Sequence, residues 1–192
     1  MPKRIGVLAL QGDVREHAQM LQEVGASVSL VKRASELESL DGLVIPGGES
    51  TTIVKLAKIF ELYAPLTGRI AEGLPVFGTC AGLILLADHI LDGIEGQETF
   101  GGINAVVRRN AFGHQTESFE TELDFKGVGE KVQASFIRAP IIESVGEGCE
   151  PLATLADGRI VAVRDGNLLG ISFHPEISGD SRVHRFFVEQ ML

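Results

Sequence analysis

Pro75-Val76-Phe77-Gly78-Thr79-Cys80-Ala81-Gly82-Leu83-Ile84-Leu85-Leu86 decides how the rest of the chain is read. A short apolar run, one sharp turn and a second apolar run predict a buried strand followed by a helix, with Cys80 at the corner. This is the layout of a nucleophile elbow with cysteine in place of serine. The spacing has a physical cause. A residue on so tight a turn is held in strained backbone geometry, and side chains two positions to either side would collide. Gly78 and Gly82 remove that collision. The helix that follows aims unsatisfied N–H groups toward the sulfur, which suits an anionic nucleophile. The alternative is a buried structural cysteine, because free cysteine is commonly buried.

Upstream, Ile5-Gly6-Val7-Leu8-Ala9-Leu10 predicts a buried strand, and Gln11-Gly12-Asp13 a turn with Asp13 as N-cap of a helix over residues 14–24. Strands follow at 27–31 and 42–45, a short helical piece at 35–40, and helices over 50–62 and 64–72. Strands alternating with helices through residue 90 imply βαβ units and a parallel sheet. Beyond residue 92 the pattern changes. Residues 119–125, 133–137, 151–156, 160–164 and 168–173 read as strands without long helices between them. Asp157-Gly158 and Asp165-Gly166-Asn167 are turn signals. Residues 182–192 predict a closing helix with Phe186, Phe187 and Met191 facing inward. The fold class is α/β: an open, mostly parallel sheet flanked by helices, with antiparallel strands added in the second half. One domain over residues 1–192 is expected.

A formal charge of −9 argues against a nucleic-acid partner. The two cysteines, Cys80 and Cys149, lack metal-ligand spacing and imply no disulfide framework, which fits a reduced, cytoplasmic setting. No apolar run is long enough to cross a membrane, and Met1-Pro2-Lys3-Arg4 leads into a first strand rather than a signal peptide.

The second chemistry-bearing stretch is Gly170-Ile171-Ser172-Phe173-His174-Pro175-Glu176. In extended backbone, His174 and Glu176 project to one side, with Pro175 stiffening the segment. A carboxylate on one imidazole nitrogen fixes the tautomer and leaves the other nitrogen to activate a thiol. A surface histidine beside an unrelated glutamate is the plainer reading; the cysteine elbow weighs against it. The third stretch is Pro46-Gly47-Gly48-Glu49-Ser50-Thr51-Thr52. Its glycines let backbone N–H groups approach an oxyanion, or the stretch is a plain turn capped by Ser50 or Thr51. It lacks the Gly-Lys-Ser/Thr ending of a phosphate loop. Arg109 is a candidate for a substrate carboxylate, and Arg138 sits near a strand end where its charge needs a partner. His17, His89, His114 and His184 read as structural or exposed. Cys149, in an acidic loop, should be inert because nearby carboxylates raise a thiol pKa.

Gly78-Thr79-Cys80-Ala81-Gly82 with His174-Pro175-Glu176 resembles the class I (triad) glutamine amidotransferases, whose sheet is flavodoxin-like. Leu10-Gln11-Gly12, Arg15-Glu16-His17, the Pro46–Thr52 loop, Arg109-Asn110, Phe119-Glu120 and Phe136-Ile137-Arg138-Ala139-Pro140 extend the likeness to glutaminase subunits of pyridoxal 5′-phosphate synthase, over essentially the whole chain. The resemblance implies Cys80 as nucleophile, His174 as base and Glu176 as its orienter. It implies L-glutamine contacts from Gly48, Glu49, Ser50, Arg109, Ile137 and Arg138, and oxyanion donors on the backbone of Gly47, Gly48 and Ala81. It also implies hydrolysis of L-glutamine to L-glutamate and ammonia, and passage of ammonia to a (β/α)₈-barrel synthase subunit. It implies no cofactor and no metal for this chain. A sister glutaminase, a binding module without turnover and a redox sensor are the rival readings. Residues 92–101 carry no distinctive motif.

Overall fold

The computed structural model describes residues 1–109 and 118–192. Asn110 and His114 lie outside the described residues. The first half is a βα alternation: β1 (Arg4–Leu8), α1 (Val14–Glu23), β2 (Ser27–Val31), a 3₁₀ turn (Ala34–Leu37), β3 (Gly42–Ile45), α2 (Ser50–Ile59), α3 (Tyr63–Ala71), β4 (Val76–Thr79) and α4 (Ala81–Leu86). β5 (Ala87–Leu91), β6 (Ile103–Arg108), β7 (Phe119–Leu123), β8 (Val132–Phe136), β9 (Ile141–Val145), β10 (Cys149–Thr154), β11 (Ile160–Asp165) and β12 (Leu168–Ile171) follow. The chain closes with α5 (Pro175–Ser178), α6 (Arg182–Phe186) and a wider helical turn over Phe187–Met191.

Among the described residues, ten strands form one sheet in the order β2-β1-β3-β4-β12-β11-β9-β6-β5, with β10 paired to β11. β2, β1, β3, β4 and β12 are mutually parallel, and antiparallel pairing begins at β12–β11. The mostly parallel sheet with an antiparallel extension is therefore present as expected. β7 and β8 form a separate antiparallel hairpin.

Apart from the edge strand β2, the parallel strands β1, β3, β4 and β12 are buried on both faces, yet their side chains still alternate. Leu43 and Ile45 of β3 and Val76 of β4 join α2, α3 and α4 in one core, through Ile53, Ala57, Leu66, Leu83 and Leu85. Val44 and Phe77 point the other way and meet Leu21 of α1 and Val183, Phe186 and Phe187 of the closing segment. Phe186, Phe187 and Met191 are buried as the pattern predicts.

Three strands depart from the sequence reading. β5, β6 and β9 have no counterpart in it, and the helix after Cys80 is only six residues long before β5 takes over. The strand before His174 ends at Ile171, not Phe173.

Candidate active site

β4 and β12 are parallel neighbours, with Thr79 opposite Ile171. Their carboxyl ends therefore release Cys80 and the segment leading to His174 at the same end of the central strands, where open α/β folds place their sites. The Cys80 N–H donates to the Ile171 carbonyl at 2.8 Å, which ties the corner to the second strand. Cys80 has φ 52° and ψ −101°, a left-handed conformation costly for any residue with a Cβ. A Cβ on Gly78 would lie 2.5 Å from the Gly82 carbonyl, and one on Gly82 would lie 2.3 Å from the carbonyl oxygen of Ile45. The glycines thus admit α4 against β4 and β3.

His174 caps a single helical turn, Pro175–Ser178, with Pro175 at its first position. The sequence reading places His174 and Glu176 together through extended backbone; the turn does it instead. Glu176 Oε1 meets His174 Nδ1 at 2.6 Å, and both side chains are nearly or fully buried. The His174 N–H donates to the Ser135 carbonyl of β8 at 2.9 Å, so the hairpin steadies the base. Burial alone would lower the imidazole pKa, but Asp13, Cys80 and Glu176 together push it up to about 12. Burial raises the Glu176 carboxyl, against the pull of His174.

Asp13 holds the N-cap position of α1, as expected, but not the usual side-chain role. Its side chain makes no capping hydrogen bond, and its Oδ2 instead lies 3.5 Å from His174 Nδ1. Asp13, His174 and Glu176 each place a ligand-type atom within 4.8 Å of the others. The imidazole nitrogen of that trio is already hydrogen-bonded to Glu176, so the group forms an acid–base cluster.

The Gly47-Gly48 loop packs against this base. A Cβ on Gly47 would fall 2.5 Å from His174 Cε1, and one on Gly48 would fall 2.4 Å from Gln11 Oε1. The Asp13 N–H donates to the Gly47 carbonyl at 3.0 Å, and the Glu49 N–H to Gln11 Oε1 at 2.8 Å. Glu49, rather than Ser50 or Thr51, caps α2, accepting from the N–H groups of Thr51 and Thr52. Burial raises its carboxyl, but these donors and the two threonine hydroxyls outweigh that and bring it to about 2. The same carboxylate meets Arg109 at 2.5 Å.

Gln97, from the stretch without a motif, accepts from Arg109 at 3.2 Å and donates to Ser50 Oγ at 3.0 Å. The structure thus joins Gly48, Glu49, Ser50 and Arg109. Ile137 and Arg138 lie exposed just past Ser135 on the strand that supports His174, and Arg138 has a strained φ of 46°. Ala81 opens α4 directly after the nucleophile.

Of the other histidines, His89 is exposed, while His17 and His184 are fully buried. Cys149 begins β10 rather than sitting in a loop, and its thiol is pushed up to about 11, first by burial and then by Asp165 and Asp88. Its neighbours in sequence, Glu147 and Glu150, are not the cause.

A model of the SNO glutamine amidotransferase family matches residues 7–192. The chain belongs to that family. It is 62% identical over 187 residues to the pyridoxal 5′-phosphate synthase subunit PdxT of Parafrankia sp., covering 97% of this chain and 92% of the relative. The PdxT of Streptomyces coelicolor is 60% identical over 188 residues, covering 97% and 93%. A crystal structure of a glutamine amidotransferase superposes with a TM-score of 0.90 at 48% identity, covering 96% of this chain and 97% of that one. PurLQS from Thermotoga maritima shares the fold alone, with a TM-score of 0.65 at 17% identity and coverage of 97% and 96%. This glutamine amidotransferase is accordingly an enzyme. Among its described residues, no helix is long and apolar enough to cross a membrane.

Proposed function

We propose that this chain is the glutaminase of a pyridoxal 5′-phosphate synthase, working as one domain over residues 1–192 in the cytoplasm. Cys80, His174 and Glu176 act as its triad. The observation that carries this reading is the buried His174–Glu176 pair at 2.6 Å, in the turn that follows β12, the strand beside the strained Cys80 corner. The Cys80 thiolate attacks the side-chain amide carbon of L-glutamine. Backbone N–H groups of Ala81 and the Gly47-Gly48 loop receive the oxyanion. His174, held protonated by its carboxylate neighbours, gives its proton to the departing ammonia and leaves a glutamyl thioester. Water, deprotonated by His174, then releases L-glutamate.

Gly48, Glu49, Ser50, Arg109, Ile137 and Arg138 hold the amino-acid end of the substrate. The Arg109 guanidinium, already fixed by Glu49 and Gln97, suits a carboxylate. Ammonia passes to a (β/α)₈-barrel synthase subunit in a hetero-oligomer, in keeping with relatives named as synthase subunits. The test is ammonia release from L-glutamine, in the presence and absence of that barrel, by the wild type and by Cys80→Ala. Turnover that survives in Cys80→Ala overturns the nucleophile. Coupling to pyridoxal phosphate formation is the outcome expected of the wild-type complex.

A further inference from the structure

Behind the triad lies a buried polar chain that the proposed mechanism leaves unused. His17 of α1 is fully buried, and its Nδ1 meets Nε2 of His184, from α6, at 2.8 Å. The other ring nitrogen of His17, Nε2, lies 3.0 Å from Thr79 Oγ1, one residue before the nucleophile. It also lies 3.5 Å from Glu176 Oε1, the oxygen that binds His174. One carboxylate oxygen therefore faces two imidazoles, hydrogen-bonded to His174 and in electrostatic contact with His17, whose Nε2 hydrogen-bonds Thr79. We propose that His17 is a positioning residue for amide hydrolysis: supported by His184, it presents Nε2–H to the Glu176 carboxylate and fixes the oxygen that orients His174. The proposal rests on the triad reading above.

Two independent costs select this tautomer. With Nε2 bare, the Thr79 hydroxyl would donate to it at 3.0 Å, but the lone pair would still face the carboxylate oxygen across 3.5 Å, a repulsive contact in a dry site. His17 Nδ1–H would then donate to His184 Nε2, leaving the proton of His184 on Nδ1. That nitrogen is buried and has no partner, so an N–H there would be orphaned. In the proposed arrangement His184 Nε2–H donates to His17 Nδ1, and the unpartnered atom is a bare acceptor, which is tolerated more readily. Both rings stay neutral. Burial, with the neighbouring His184 and His174, holds His17 well below its usual range, and burial brings His184 to about 3 despite Asp180. A second positive dipole at Oε1 favours the ionised Glu176, whose carboxyl burial raises.

The titratable groups facing this pair are His174 on the same segment as Glu176, Asp13 before α1, and His184 with Asp180 behind it. Cys80 also faces His174. Removing the His17 donor makes the Glu176 carboxylate harder to keep ionised, so the acid limb of kcat should move to higher pH. In the full chain docked on its synthase partner, with L-glutamine as probe, His17→Leu should lower kcat about tenfold with KM little changed. His17→Gln, which retains an N–H at similar reach, should recover most of the loss.

Glu176→Gln separates the two readings. Wild-type kcat in Glu176→Gln sinks the triad itself. Impaired Glu176→Gln beside a His17→Leu variant with wild-type kcat and acid limb leaves the triad standing and overturns the His17 role. Equal losses in His17→Leu and His17→Gln, or multiplicative losses in His17→Leu/Glu176→Gln, also overturn it. Should His17→Leu fail to fold, ¹⁵N NMR of the histidine rings in the unaltered chain decides: a neutral Nε2–H tautomer at His17 supports the proposal, and Nδ1–H or imidazolium overturns it.

Discussion

Asp13 Oδ2 lies 3.5 Å from His174 Nδ1, so a partly exposed carboxylate shares the ring nitrogen that Glu176 holds from the buried side. A weak outer partner of this kind tunes charge rather than orientation. Asp13→Asn should lower kcat by about fivefold at most, far less than Glu176→Gln, since half-exposed ion pairs contribute little. Steady-state kinetics on both variants checks the ranking, and equal losses would contradict it.

The raised imidazole has a stability consequence with a definite sign. His174 titrates near 12 in the folded chain, against 6.5 when unfolded. Its contribution is complete below about pH 6.5 and is lost as pH rises toward 12. Between those limits the folded chain holds a proton that the unfolded chain releases. In the Cys80→Ala background, where Asp13 and Glu176 still raise the imidazole, the stability advantage over Cys80→Ala/His174→Asn should shrink from pH 6 to about pH 10. Urea unfolding across that range measures it. A growing advantage would show the sign to be wrong.

A glutamine-like electrophile should label Cys80 and spare Cys149. The latter is buried, and its thiol is pushed up to about 11, leaving almost no thiolate at neutral pH. Peptide mapping after labelling gives the answer, and modification of Cys149 alone would remove Cys80 as the nucleophile.

Gln97 joins Ser50 to Arg109 without belonging to any recognisable motif. Gln97→Leu should loosen the guanidinium and raise KM for L-glutamine about fivefold to tenfold, with a smaller change in kcat, as expected of lost ground-state binding. A fall in kcat at constant KM would place Gln97 in the chemistry instead.

The elements around Cys80 are legible because turn residues punctuate them: Gly47-Gly48 after β3 and the Gly78–Gly82 spacing at the corner. β5 is hidden because Ala87 follows Leu83-Ile84-Leu85-Leu86 without a break, and an apolar run has no period that separates helix from strand. β9, Ile141-Ile142-Glu143-Ser144-Val145, has neither a continuous apolar run nor a strict alternation to mark it as a strand. Within the site, Cys80, His174 and Glu176 are readable from local spacing. Gln97 is not, since its partner Ser50 is 47 positions away. The His17–His184 contact spans 167 positions, beyond any pattern in one sequence. Asp13 is legible as a polar residue at a strand-to-helix turn, but its role belongs to the tertiary contact rather than the cap.

Every residue of α4, from Ala81 to Leu86, is buried, and its first amide bonds include Ile84 N–H to the Cys80 carbonyl at 3.2 Å. The nucleophile therefore rides on the interior of the molecule instead of on a surface loop. No local opening can expose that amide without parting the sheet from its helices. In hydrogen–deuterium exchange, the Ile84 amide should exchange only with whole-molecule unfolding, at the slowest rate in the chain. Heat should accordingly extinguish activity and structure together, leaving no window in which a folded but chemically disarmed enzyme persists.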